Sequence, residues 1–132
     1  MITGRCLCGR TGWRFESTPE RATACNCAVC RRHGALWIYG HEGHDVSLQG
    51  EVAAYVRSDL PDPGIEFIFC PTCGSTLAWR GMTPRPEGKR LAVNVRMAEL
   101  SDVGDLPIRH FDGADTWEAR PDDGARVRDL WF

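Results

Sequence analysis

Apolar residues in this chain come in short bursts, not in helical stripes. In residues 11–16, Trp13 and Phe15 stand two apart, the alternation of a half-buried strand. Residues 21–27 read as a second strand, and residues 35–39 (Ala-Leu-Trp-Ile-Tyr) as a compact apolar one. Residues 46–48, 53–57, 66–69, 76–79, 90–95 and 108–111 continue the series. Residues 17–19, 40–45, 59–64 and 81–88 separate them with the Gly, Pro and Asp content of turns and loops. Only residues 29–34 suggest helix, a single turn ended by Gly34. Residues 120–128 are polar with no helical stripe, and Leu130-Trp131-Phe132 is an apolar end suited to the core or to a partner. This pattern predicts an all-β fold of short antiparallel strands. No repeat, low-complexity run or shift in composition divides residues 1–132, so a single domain is expected.

Charge narrows the function classes. Sixteen basic and 18 acidic residues give a net charge of -2. The isoelectric point is near 6.1 and no basic stripe is visible, which argues against a nucleic-acid partner. No apolar run approaches the length of a membrane span. Seven cysteines are many for a small domain, and the count is odd. No signal-peptide pattern precedes Cys6. Together with C-x-C and C-x-x-C spacings, this leads us to expect reduced thiols on metal in a cytoplasmic protein, not disulfides.

The cysteines sort into two sets. Cys6 and Cys8 would share one face of a strand, with Gly9 and Gly12 allowing the bend that follows. Cys70-Pro71-Thr72-Cys73-Gly74 is a zinc knuckle. The two half-sites make four thiolates, the closed form of a structural zinc site. Its binding free energy would also be folding free energy, on the order of 10 kcal/mol or more. Cys25, Cys27 and Cys30 remain, within Cys25-Asn26-Cys27-Ala28-Val29-Cys30-Arg31-Arg32. Three local thiols leave a tetrahedral zinc one ligand short, the mark of a reactive centre. Its serious rival is a closed site completed by His33, His41, His44 or His110.

Three thiolates on a dication carry one net negative charge, so zinc is softened and a substrate thiol is a natural fourth ligand. Arg31 and Arg32 stand where they could balance that charge or bind a substrate carboxylate. His33, His41 or His44 is a candidate to protonate an alkoxide. Two other classes compete with an enzyme. One is a non-catalytic zinc module that binds a protein, with Trp131 and Phe132 as an anchor. The other is redox chemistry at Cys70 and Cys73, which zinc on those thiols would block.

The sequence resembles the glutathione-dependent formaldehyde-activating (GFA) family, also called the centromere-protein-V/GFA domain. The resemblance rests on Gly4-Arg5-Cys6-Leu7-Cys8-Gly9, on the stretch from Cys25 to Arg32, and on Phe69-Cys70-Pro71-Thr72-Cys73-Gly74-Ser75. A weaker match is Pro107-Ile108-Arg109-His110-Phe111 with Trp117. It implies a β-tent fold, a structural zinc on Cys6, Cys8, Cys70 and Cys73, and a catalytic zinc on Cys25, Cys27 and Cys30. It also implies similarity to S-(hydroxymethyl)glutathione synthase, a carbon–sulfur lyase that joins formaldehyde to glutathione. Family members often have His where this chain has Asn26, a side chain that does not titrate near neutral pH. Edge strands in such a domain could also pair two copies into a homodimer.

Overall fold

Strand alternation decides which residues of this protein meet the core and which meet the functional surface. The computed structural model describes residues 1–131. It is all-β, with eleven short strands in two sheets and little helix. In the smaller sheet β1 (Ile2–Arg5), β2 (Gly12–Phe15) and β5 (Val46–Gln49) run in the order β1-β2-β5. The larger sheet contains β3 (Ala22–Cys25), β4 (Trp37–His41), β6 (Ala53–Val56), β7 (Ile65–Phe69) and β8 (Thr76–Gly81). It is completed by β9 (Arg90–Asn94), β10 (Ile108–Asp112) and β11 (Glu118–Ala119), in the order β11-β10-β3-β4-β9-β8-β7-β6. Every named pairing is antiparallel except β3 with β10, which is parallel and sets Phe111 beside Cys25.

Central strands of the larger sheet are apolar on both faces, as strands covered on both sides must be. Ile38, Ile68, Leu91 and Val93 turn to one face, where they pack with Ile2, Trp13, Phe15 and Val46 of the smaller sheet. The alternating neighbours Trp37, Phe67 and Ala92 form a second cluster with Ala35 on the opposite face. The one-turn helix α1 (Ala28–His33) follows β3 and contributes Val29 and Cys30 to that second cluster. Gly34 closes the helix in a left-handed conformation, and its N–H bonds back to the carbonyls of Arg31 and Cys30.

Asn94 braces the larger sheet with its side chain and meets the smaller sheet through its backbone carbonyl. Its side chain accepts from the Leu36 and Arg96 amides (3.3 and 3.2 Å) and donates to the Thr76 carbonyl (3.0 Å). Its own carbonyl accepts from the Trp13 indole at 3.2 Å. Asn94 is 2% exposed, so water cannot replace these bonds.

Several boundaries differ from expectation. Cys6 and Cys8 do not lie on a strand, because β1 ends at Arg5. Strand residues two apart are separated by about 6.8 Å, whereas the two sulfurs approach to 3.6 Å. A turn closed by the Gly9 N–H on the Cys6 carbonyl (3.0 Å) makes that approach. β4 begins two residues late, because the Leu36 amide goes to the Asn94 side chain. Helix α2 (Leu100–Val103) and the 3-10 turns Val95–Met97 and Val127–Leu130 are too short to show periodicity. Leu130 and Trp131 pack against the core, while Phe132 lies outside the described residues. No helix among the described residues is long and apolar enough to cross a membrane.

Replacing Asn94 with Ala strips partners from two backbone amides and a carbonyl at once. We expect a stability loss of about 2–4 kcal/mol, measured by urea unfolding. An unchanged midpoint would show that the Asn94 side chain does not brace the larger sheet.

Candidate metal centres

Two matching turns bring four sulfurs to one point. In the first, Cys6 accepts the Gly9 amide and donates its own to the Thr11 carbonyl (both 3.0 Å). In the second, Cys70 accepts the Gly74 amide at 2.8 Å and donates to the Ser75 carbonyl at 3.0 Å. A register shift leaves Leu77 of β8 as an extra residue opposite Ile68 and Phe69, a bulge that bends β8 where it leaves the turn. The Cys6–Cys8 and Cys8–Cys70 sulfurs are 3.6 and 3.7 Å apart. All four sulfur atoms, with that of Cys73, lie within 4.8 Å of one another. A tetrahedron with zinc–sulfur bonds near 2.3 Å has sulfur–sulfur edges of about 3.8 Å, so the set fits zinc.

Hydrogen bonds tie the turns together and hold two of the four thiols low, while Cys8, against a hydrogen bond from the Arg10 amide, is pushed up by the neighbouring thiols. The Leu7 amide donates to the Ser75 hydroxyl at 3.3 Å. That hydroxyl lies 3.3 Å from the Cys73 sulfur and, with the Ser75 amide, holds the thiol down at about 5. Burial alone would raise Cys6, but hydrogen bonds from Thr11 and its thiol neighbours hold it at about 7. Cys6, Cys70 and Cys73 belong to the core between the sheets.

The second set sits on the other face. β3 delivers Cys25, and the chain turns into α1 with Cys27 as the residue that caps its first turn. The Cys27 sulfur accepts the Cys30 amide at 3.4 Å, which holds its thiol low against the opposing effect of burial. Burial pushes the Cys30 thiol up, opposed by the Trp37 indole N–H that it accepts at 3.2 Å. The three sulfurs lie within 4.8 Å of one another, and all three residues are partly exposed. Among the described residues no His, Asp, Glu or further Cys joins them.

None of the four histidines completes this set. The His33 ring stacks on Phe67 at 4.3 Å and its Nδ1 meets the Thr76 hydroxyl at 2.9 Å. His41 and His44 both face Asp45, at 3.2 and 3.0 Å. His110 faces Asp123 at 3.1 Å. Arg32 donates to the Ala28 carbonyl at 3.0 Å. Arg31 is exposed on the last turn of α1, and among the described residues its side chain makes no hydrogen bond or ion pair.

A loop after β10 completes the surroundings, and the sequence reading missed its part. Asn26, between two of the cysteines, donates to Asp112 Oδ1 at 2.9 Å and accepts the Ala114 amide at 3.0 Å. Asn26 thus serves as a tie between the cysteine segment and the loop after β10. Gly113 then passes so close that a Cβ there would lie 2.6 Å from the Cys25 sulfur and 3.3 Å from Cys27 Cβ. Only a residue without a side chain fits. Two clefts of about 470 and 310 Å³ contain none of the seven cysteines.

The family model of the glutathione-dependent formaldehyde-activating enzyme matches residues 1–109. The crystal structure of a Rhodobacter sphaeroides protein is similar, with a TM-score of 0.58 and 23% identity. That likeness covers 81% of this chain and 99% of the other, and at this identity it concerns the fold alone. No curated protein matches the chain.

Gly113→Ala should push the loop off Cys25 and lower metal retention at the three-cysteine set while sparing the four-cysteine set. Metal analysis after dialysis against a mild chelator should then give one tightly held ion per chain. Two equally retained ions would contradict this close packing.

Proposed function

The chain belongs to the glutathione-dependent formaldehyde-activating enzyme family, and from that premise we propose that it adds a thiol such as glutathione to formaldehyde or a similarly small electrophile. Residues 1–132 would act as a single domain. The observation that carries this reading is the trio Cys25, Cys27 and Cys30, gathered within 4.8 Å and joined by no fourth ligating side chain among the described residues. These three would hold a catalytic zinc, and Cys6, Cys8, Cys70 and Cys73 a structural one. When bound at the trio, zinc supplies an open position that favours the thiolate form of an entering thiol.

The chain's own groups do the rest. The Trp37 indole N–H and the Cys30 amide donate to the trio's sulfurs and temper their negative charge. The Asn26 tie fixes the loop that carries Gly113 beside them. Arg31 offers a positive charge to a substrate carboxylate. In the reaction the thiol sulfur bonds to the carbonyl carbon, and the carbon–oxygen π pair moves onto oxygen. The thiol's proton ends on that oxygen, carried by water at this partly open site, to give a hemithioacetal. The reverse reaction breaks the carbon–sulfur bond, which places the enzyme among carbon–sulfur lyases. Holding both reactants together is the main catalytic term for such an addition.

Cys27→Ser should leave a folded chain with one zinc in place of two and lower turnover by at least about a hundredfold, a loss of the order expected when a preorganised centre is removed. Metal analysis and an assay of formaldehyde consumption check both halves. Full turnover in Cys27→Ser would remove the trio from the chemistry. Cys70→Ser should instead fail to give folded protein, because the metal's binding energy at that set is folding energy.

A further inference from the structure

Trp117 is the one described non-glycine residue with a left-handed backbone, at φ 59°. For a residue with a side chain this conformation is strained, whereas glycine adopts it freely. The loop geometry alone would be served by glycine, so the indole itself has to be explained. It is not used to fill the core, since Trp117 is 70% exposed. Its indole N–H has no hydrogen-bond partner among the described residues. Strain of this kind, kept on an exposed large side chain, is a feature of ligand-contacting positions.

Its place is equally informative. The point that a Gly113 Cβ would occupy lies 2.6 Å from the Cys25 sulfur and 3.5 Å from Cζ3 of Trp117. Indole and sulfur therefore both border the space that a side chain at position 113 would occupy. The ring meets Phe111 edge to face, with centroids 5.2 Å apart, and Phe111 is the strand neighbour of Cys25. The backbone that carries the ring is held firmly. The Trp117 amide donates to the Asp112 carbonyl at 2.8 Å, and the Thr116 hydroxyl donates to the Asp112 carboxylate at 3.3 Å. Asn26 holds the same carboxylate from the cysteine side. The same tie that positions the trio thus positions the indole.

We propose that Trp117 is a substrate-contacting, specificity-determining residue of the three-cysteine centre. Its ring packs against the chain of the organic thiol whose sulfur occupies the open position there. An indole face and edge suit the methylenes and amide planes of a small peptide-like thiol, and give little to a bare thiol such as hydrogen sulfide. This inference rests on the reading of the trio as a thiol-binding metal centre.

The test uses the full chain loaded with cobalt in place of zinc, titrated with glutathione and followed by its visible absorption. Trp117→Gly suits the left-handed backbone, so the loop keeps its course, and Trp117→Phe keeps an aromatic ring. We expect Trp117→Gly to keep both metals, to melt no lower than the wild type and to bind glutathione at least tenfold more weakly. Trp117→Phe should bind within about threefold of wild type, and sulfide should bind all three proteins alike. Equal glutathione affinity in wild type and Trp117→Gly overturns the inference and leaves the thiol-binding reading intact. Loss of the trio's metal in Trp117→Gly also overturns it, by making the ring a structural prop. A wild-type chain whose trio metal takes up no thiol overturns the underlying reading, and this inference with it.

Discussion

Sulfur crowding is the constraint on which this structure turns. Four thiol sulfurs from two distant turns approach to 3.6–3.7 Å along two of their edges. As thiolates at that spacing they repel one another strongly in a partly buried setting. A dication held between them would convert that repulsion into the strongest tie in the fold. The smaller sheet depends on it, because β1 runs straight into the first of these turns. Asn94 and Trp13 add a neutral hydrogen-bonded pin between the same two sheets, but its contribution is of a smaller order.

Strand alternation then separates structure from chemistry. The four-cysteine set packs with Ile38, Ile68, Leu77 and Val93 in the space between the sheets. The trio packs by way of Cys30 with Trp37 and Phe67 on the opposite face. One set has four sulfurs and is anchored in the core by Cys6 and Cys70, while the other has three, all partly exposed, although both use the same ligand atom. The difference between a closed and an open centre is therefore a difference of sheet face and ligand count, not of residue type. The parallel pairing of β10 with β3 matters for the same reason, since it brings the loop with Gly113 and Trp117 alongside Cys25.

Much of this was legible in the sequence. The period of two in Trp13 and Phe15, the short apolar bursts and the Gly/Pro turns gave the all-β class. Cysteine spacing gave both sets, because ligands two to five residues apart converge only through turns. Other parts were not legible, for physical reasons. Cys6 and Cys8 converge by a turn and not along a strand, a distinction that rests on one backbone hydrogen bond. Asn26 carries no sign in the sequence of the partners it finds 86 and 88 residues away. Gly113 reads as an ordinary loop glycine until the Cys25 sulfur is placed beside it. Four histidines offered a fourth ligand by composition, and each has a partner elsewhere.

The central claim is that the trio leaves a metal one sulfur short, so that a thiol from solution can complete it. X-ray absorption at the zinc edge of the fully loaded protein counts sulfurs per zinc directly. With one closed and one open centre the average is about 3.5 sulfurs per zinc, rising to about 4 when glutathione is added. An average of 4 before any thiol is added, or one that glutathione leaves unchanged, would contradict the account.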